Sequence, residues 1–377
     1  MKNIFFKRIY IATIQIFIFI ILWLLSDVLY SNFFFKENKY GCFNFKENYY
    51  DLKPNCEAKE KIVKTSKHYK VLTDENGNRY SGEKDNNLNE NLLFFLGDSF
   101  TYGVGLDYKK TFVHKVDSFT KEYKVLNLAV PSYSPTAHLY RLEELIKKKI
   151  YPKKVILVID LTDVSDEAGR WERENQSKKP SLIGNYWEFE LLNKSNKRTT
   201  NTWKEFKYNN FKGSRQLINY LNNFTRLLKI KIKKKIDKDY SELGITRMGD
   251  FTYIEFDKLD QKWWLPHGVN GGLKKIENNI KKISEVTKKN NAEFYIVVYP
   301  WAVTLEYGQD IFNWELYGKH LCKVSNCTKL INLFPEFNLY KKNNINWSTD
   351  LYFLHDTHWN EKGHNIVAKK ILIEIFD

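Results

Sequence analysis

Residues 92–105 read LLFFLGDSFTYGVG, and this stretch decides the fold. Leu92 to Leu96 is a continuous apolar run of strand length, the pattern of a strand buried on both faces. It stops at Gly97-Asp98-Ser99, and Gly103 and Gly105 mark the loop that follows. In a parallel α/β sheet, reactive groups sit just beyond the carboxyl ends of the strands, which is where Ser99 falls. A serine hydroxyl needs a neighbouring base, usually a histidine whose tautomer a carboxylate fixes.

The rest of the chain repeats the strand and helix alternation. A helical pattern runs from Lys109 to about Tyr123, and a short strand from Lys124 to Leu128 ends in Ala129-Val130-Pro131-Ser132. Another helix runs from about Thr136 to Lys149. The apolar strand Val155–Ile159 ends at Asp160-Leu161-Thr162-Asp163. From 165 to about 265 the alternation breaks, which reads as an insertion rich in Lys, Asn and Trp. Within it, Leu227–Ile236 is basic and partly apolar, the composition either of an interfacial helix on anionic lipid or of a solvated surface helix. The pattern resumes with a helix over Gly271–Lys289, strands at Phe294–Tyr299 and Leu330–Phe334, and a last helix over Lys362–Phe376. Five strands alternating with helices predict an α/β fold with an open parallel sheet covered on both faces.

Of the 8 histidines, His358 is the best base. It lies in the loop before the last helix, with Asp356 two positions earlier and therefore on the same side of an extended segment. His355 points the other way, and His364 falls inside the helix, where it caps or packs. An acyl transfer step also needs donors for its oxyanion. The Ser99 amide, the backbone amide at Ser132 and the Thr162 side chain stand at three consecutive strand ends. Asp163 and Asp166 read as turn and cap residues, and no metal or other cofactor is expected.

Ile9 to Leu25 carries no charged side chain, close to the ~20 residues that cross a bilayer as a helix. Lys2, Lys7 and Arg8 precede it, and no small-x-small cleavage pattern follows it. The expectation is an uncleaved signal anchor in 1–30, with a cytoplasmic N-terminus. A stalk or lobe over 31–85 and the main domain over 86–377 would then be periplasmic or extracellular. Four cysteines, close in pairs, suggest disulfides Cys42–Cys56 and Cys322–Cys327 in that compartment. The net charge of +15, from 60 Lys+Arg and 45 Asp+Glu, is spread along the chain and accompanies no nucleic-acid motif. Nucleic acid is not an expected partner.

Gly97-Asp98-Ser99 after a strand, with Asp356 and His358 before the last helix, resembles the SGNH/GDSL hydrolase family. DENGNRYSG, GDSFTYGVGLDYKKTF and DTHWNEKGH look more narrowly like its membrane-anchored bacterial branch. The resemblance implies a flavodoxin-like three-layer α/β/α sandwich and a triad of Ser99, His358 and Asp356. It departs at Ser132, where the family has glycine, and at Thr162, where it has asparagine; only one residue separates Asp356 from His358. It implies an esterase acting on an acylated glycan or another ester substrate. Two alternatives follow from the same resemblance: an O-acetyltransferase, with a membrane-bound acyltransferase as partner, or an inactive glycan-binding module.

Overall fold

The computed structural model describes residues 2–34, 41–46, 49–61, 68–83, 91–175, 178–183, 251–252, 254–258, 263–353 and 356–376, with scattered positions between 206 and 225. The chain forms two compact units. The first joins Met1–Lys39 with Lys197–Glu242. Its main element is α1 (Lys2–Leu29), 28 residues and about 42 Å long at 1.5 Å per residue. This helix is long and apolar enough to cross a membrane. Near its end, the Asp27 carboxylate accepts the backbone N–H groups of Gly213 (2.8 Å) and Ser214 (2.7 Å). The Trp23 indole donates to the Ser214 hydroxyl at 2.9 Å. Leu227–Ile236 lies outside the described residues.

The second unit joins Tyr40–Asn196 with Leu243–Asp377. It begins with a lobe of two antiparallel pairs. One pair is β1 (Phe43–Lys46) with β2 (Tyr49–Leu52), the other β3 (Glu57–Lys61) with β4 (His68–Leu72). A disulfide joins Cys42 to Cys56 across the lobe. The lobe shares an apolar cluster with Tyr133, Ala137, Tyr140 and Trp171, so it is built into the body of the unit.

That body starts with β5 (Leu92–Leu96), the short helix α2 (Ser99–Tyr102), α3 (Phe112–Phe119) and β6 (Lys124–Asn127). Next come α4 (Pro135–Lys147), β7 (Pro152–Ile159) and α5 (Thr162–Gly169). A two-residue pair, β8 (Trp171–Glu172) with β9 (Ser181–Leu182), precedes the long helix α6 (Gly268–Lys289) and β10 (Glu293–Val298). The chain closes with α7 (Ala302–Tyr307), α8 (Trp314–Ser325), β11 (Lys329–Asn332), α9 (Phe334–Asn343), α10 (Trp347–Leu351) and α11 (Glu361–Phe376). A second disulfide, Cys322–Cys327, ties the end of α8.

The sheet order is β11-β10-β7-β5-β6, parallel throughout. Counting only these strands, that is the 2-1-3-4-5 order of doubly wound flavodoxin-like folds. Crossovers between parallel strands of one sheet are right-handed as a rule. The step from β5 to β6 and the steps back through β7, β10 and β11 run in opposite directions, so their helices cover opposite faces. The packing agrees: α3 lies against α11, while α4, α5 and α8 lie against α6. Leu93 to Leu96, Val155 to Ile159 and Phe294 to Val298 form the buried centre, as strands covered on both faces require.

The expected break at 165 comes later. Asp163 to Gly169 continue as the buried helix α5. Its polar residues concealed it, because Ser165, Asp166 and Glu167 bond inside the protein. Glu167 caps α4 from outside, accepting from the Ser134 hydroxyl, the Thr136 amide and the Thr136 hydroxyl, each at 2.6 Å.

Candidate active site

Every strand of the parallel sheet points its carboxyl end to one edge, and the candidate residues collect there. Gly97 leaves β5 under Thr101. A Cβ at Gly97 would stand 2.2 Å from the Thr101 hydroxyl oxygen, so only glycine allows this close turn. Asp98 caps the next turn by accepting the Phe100 N–H at 3.0 Å. Gly103, at φ 85°, ends it in the left-handed region. Ser99 is left half-buried at the start of α2.

His358 arrives from the far end of the chain. Its Nε2 lies 2.8 Å from the Ser99 Oγ, and its Nδ1 lies 2.5 Å from the Asp356 Oδ1. Asp356 also accepts the His358 backbone N–H at 3.0 Å, so one carboxylate sets both the loop and the ring. The loop is pinned by the Phe353 N–H on the His358 carbonyl, at 2.9 Å. Phe100 packs on the imidazole with ring centroids 4.9 Å apart, and Tyr299 and Trp359 close around Phe100. Burial alone would lower the His358 pKa. The hydrogen bond and charge of Asp356, with the charge of Asp160, outweigh it and hold the imidazole above its ordinary value. His355 lies outside the described residues. His364 is buried, and its Nδ1 accepts the Phe112 N–H at 3.0 Å.

The oxyanion candidates differ from one another. The Ser99 N–H has no hydrogen-bond partner among the described residues, which leaves it free to donate. The loop after β6 runs beside β5, with the Val130 N–H on the Gly97 carbonyl at 3.3 Å. Ser132 in that loop sits at φ 62°, a left-handed conformation that costs a residue with a Cβ about 1–2 kcal/mol. Its N–H also has no partner among the described residues, while its carbonyl accepts the Trp171 indole N–H at 2.9 Å. Thr162, expected as a side-chain donor, donates its hydroxyl hydrogen bond to the Asp160 carboxylate instead. A threonine hydroxyl has one proton, so in this state it has none for an oxyanion.

Sequence reasoning gave no role to two neighbours of this edge. Asp160, directly after β7, is buried and accepts the Thr162 N–H (2.7 Å), the Trp301 indole N–H (2.9 Å) and the Tyr299 hydroxyl. Burial, and then the charge of Asp160, push the Asp98 carboxyl up to about 8, so it holds its proton at neutral pH. It lies 3.1 Å from the Ser99 Oγ. A carboxylate at the end of an apolar strand was the available signal for Asp160. The chemistry this edge supports is proton transfer from a serine hydroxyl to a carboxylate-oriented imidazole, with the Ser99 and Ser132 N–H groups unpartnered among the described residues.

No protein-family model and no curated protein matches the sequence. Solved structures similar to the chain are GDSL-type lipolytic proteins and esterases. A member of the lipolytic G-D-S-L family from Veillonella parvula shares 12% identity at a TM-score of 0.40, over 76% of this chain and 97% of that one. A catalytic mutant of an acetylxylan esterase from Geobacillus stearothermophilus shares 13% at 0.40, over 76% and 95%. A psychrotrophic esterase from Pseudoalteromonas shares 13% at 0.36, over 76% and 96%.

Proposed function

We propose that the protein is a serine esterase of the SGNH type, anchored in a membrane and working outside the cytoplasm. The observation that carries this reading is the series of Ser99 hydroxyl, His358 imidazole and Asp356 carboxylate at 2.8 and 2.5 Å. Ser99 attacks the ester carbonyl while His358 Nε2 takes its proton. The tetrahedral oxyanion is held by the Ser99 and Ser132 amides. His358 returns the proton to the leaving alcohol, and water releases the acyl group by the same steps in reverse order. The apolar α1 and the paired cysteines support the extracytoplasmic placement, and with it an O-acyl or O-acetyl group on a cell-surface glycan as substrate.

Transfer of the acyl group to a sugar hydroxyl is the second reading. It is favoured by the enclosure of the base: the His358 side chain is only 18% exposed and packs on Phe100, and restricting water favours another acceptor. A fluorophosphonate probe tests the common step: labelling should occur and be lost in Ser99→Ala. Absence of labelling in the folded protein sinks both readings. An acetyl ester supplied with and without an acceptor glycan separates them, by free acetate against acetylated glycan.

A further inference from the structure

The carbonyls of Pro131 and Ser132 are gripped from two sides, the N-terminal lobe and β8. Tyr50 in β2 donates its hydroxyl to the Pro131 carbonyl at 2.8 Å. The Trp171 indole donates to the Ser132 carbonyl at 2.9 Å. Tyr133, the next residue in the loop, donates back to the Tyr50 carbonyl at 2.6 Å. Tyr50, Tyr133 and Trp171 are at most 1% exposed, and each ring lies within 5.7 Å of the other two. The lobe is itself closed by Cys42–Cys56, with the Lys53 N–H on the Cys42 carbonyl at 2.7 Å.

These contacts surround Ser132, the one non-glycine residue at positive φ among the described residues of the site. Ser132 at φ 62° tends to relax to the ordinary backbone regions. Such a rotation would swing its N–H away from its present direction. Bonds to the carbonyls on both sides of Ser132 oppose it, and the two donors come from different parts of the fold.

We propose that the disulfide-closed lobe, through Tyr50, acts with Trp171 of β8 as a positioning device for the oxyanion site, the two holding the carbonyls of Pro131 and Ser132 so that the Ser132 N–H stays aimed at the reacting carbonyl oxygen. This rests on the esterase reading given above. Tyr50 and Trp171 touch no reacting atom; they are positioning residues, and their effect belongs in kcat.

The test uses the full chain in detergent with p-nitrophenyl acetate. Tyr50→Phe keeps the ring and deletes only the hydroxyl. Its kcat should fall roughly 10-fold, short of the ~10²–10³ lost with a whole oxyanion donor, with KM and the midpoint of the pH profile unchanged. In a Ser132→Gly background the same substitution should cost less than about twofold, because glycine takes positive φ without strain. A merely structural tyrosine would cost the same in both backgrounds, and that result overturns the proposal, as does an unchanged kcat in Tyr50→Phe. Ser99→Ala is measured alongside. Hydrolysis that survives it removes the esterase reading and the proposal with it. Hydrolysis that depends on Ser99 but ignores Tyr50 removes the proposal alone.

Discussion

Asp356→Asn removes one charge and almost no volume, so its consequences can be worked from two hydrogen bonds. In the native site the carboxylate accepts from His358 Nδ1 at 2.5 Å and from the His358 N–H at 3.0 Å. An amide can still accept the backbone N–H, so the loop should persist. It cannot hold an imidazolium, and its N–H group favours the tautomer that turns a protonated Nε2 toward Ser99. Comparable carboxylate-to-amide changes in serine triads cost about 10⁴ in kcat, or about 5.4 kcal/mol at 1.36 kcal/mol per tenfold. We expect a fall of roughly 10³–10⁴-fold in hydrolysis of an activated acetyl ester. The pH profile gives a second reading. His358 acts as a base only when neutral, and its pKa is raised, so native kcat/KM should climb through a midpoint above the ordinary histidine value. With the Asp356 charge gone, the midpoint should move down. The same linkage acts on stability. The contribution of a raised histidine is fully present below its unfolded pKa and is lost as pH rises through the folded one. The variant's melting temperature should therefore lag the native value at acid pH and approach it at alkaline pH. A variant with kcat within tenfold of native and an unmoved midpoint would refute the triad.

Three further outcomes are expected. Arg79 is fully buried and donates to the carbonyls of Lys70 (3.2 Å), Tyr102, Gly103 (2.8 Å) and Leu106, so it clamps the loop after Ser99 to the lobe. Arg79→Met should lower stability by at least about 3 kcal/mol in urea unfolding, since it strands several buried acceptors; a loss under about 1 kcal/mol contradicts the clamp. Gly97→Ala drives a methyl to within 2.7 Å of the Thr101 Cβ, and thermal unfolding should report a loss of about 1–3 kcal/mol together with reduced kcat. Native thermal stability would show that the turn has room. Asp98 keeps its proton to about pH 8 when folded but releases it near 3.8 when unfolded, so native stability should decline across that interval. Asp98→Asn should flatten the decline, and an unchanged slope would show that Asp98 is already ionised at neutral pH.

The sequence by itself determined the sheet and the meeting of Ser99, His358 and Asp356. Leu92–Leu96, Val155–Ile159 and Phe294–Val298 are apolar over their whole lengths, a local property that needs no partner to be read. Ser99 and His358 are 259 residues apart, yet each lies at a recognisable boundary, after the first strand and before the last helix. Reading failed where a side chain's role depends on what faces it. Thr162 has the right position for an oxyanion donor, but its hydroxyl already donates its hydrogen bond to Asp160. Residues 165–169 look like the polar start of an insertion, but α6 buries them and Glu167 finds its donors on α4. Asp98 is an unremarkable turn carboxylate in the sequence and becomes a neutral acid only because burial and Asp160 surround it. Ser132 in place of glycine is readable as a letter, whereas its left-handed backbone and the tyrosine and tryptophan that grip its peptide exist only once the lobe has folded onto the sheet edge. Backbone pattern is encoded locally; protonation, donor direction and strain are set by neighbours that only tertiary structure brings into contact.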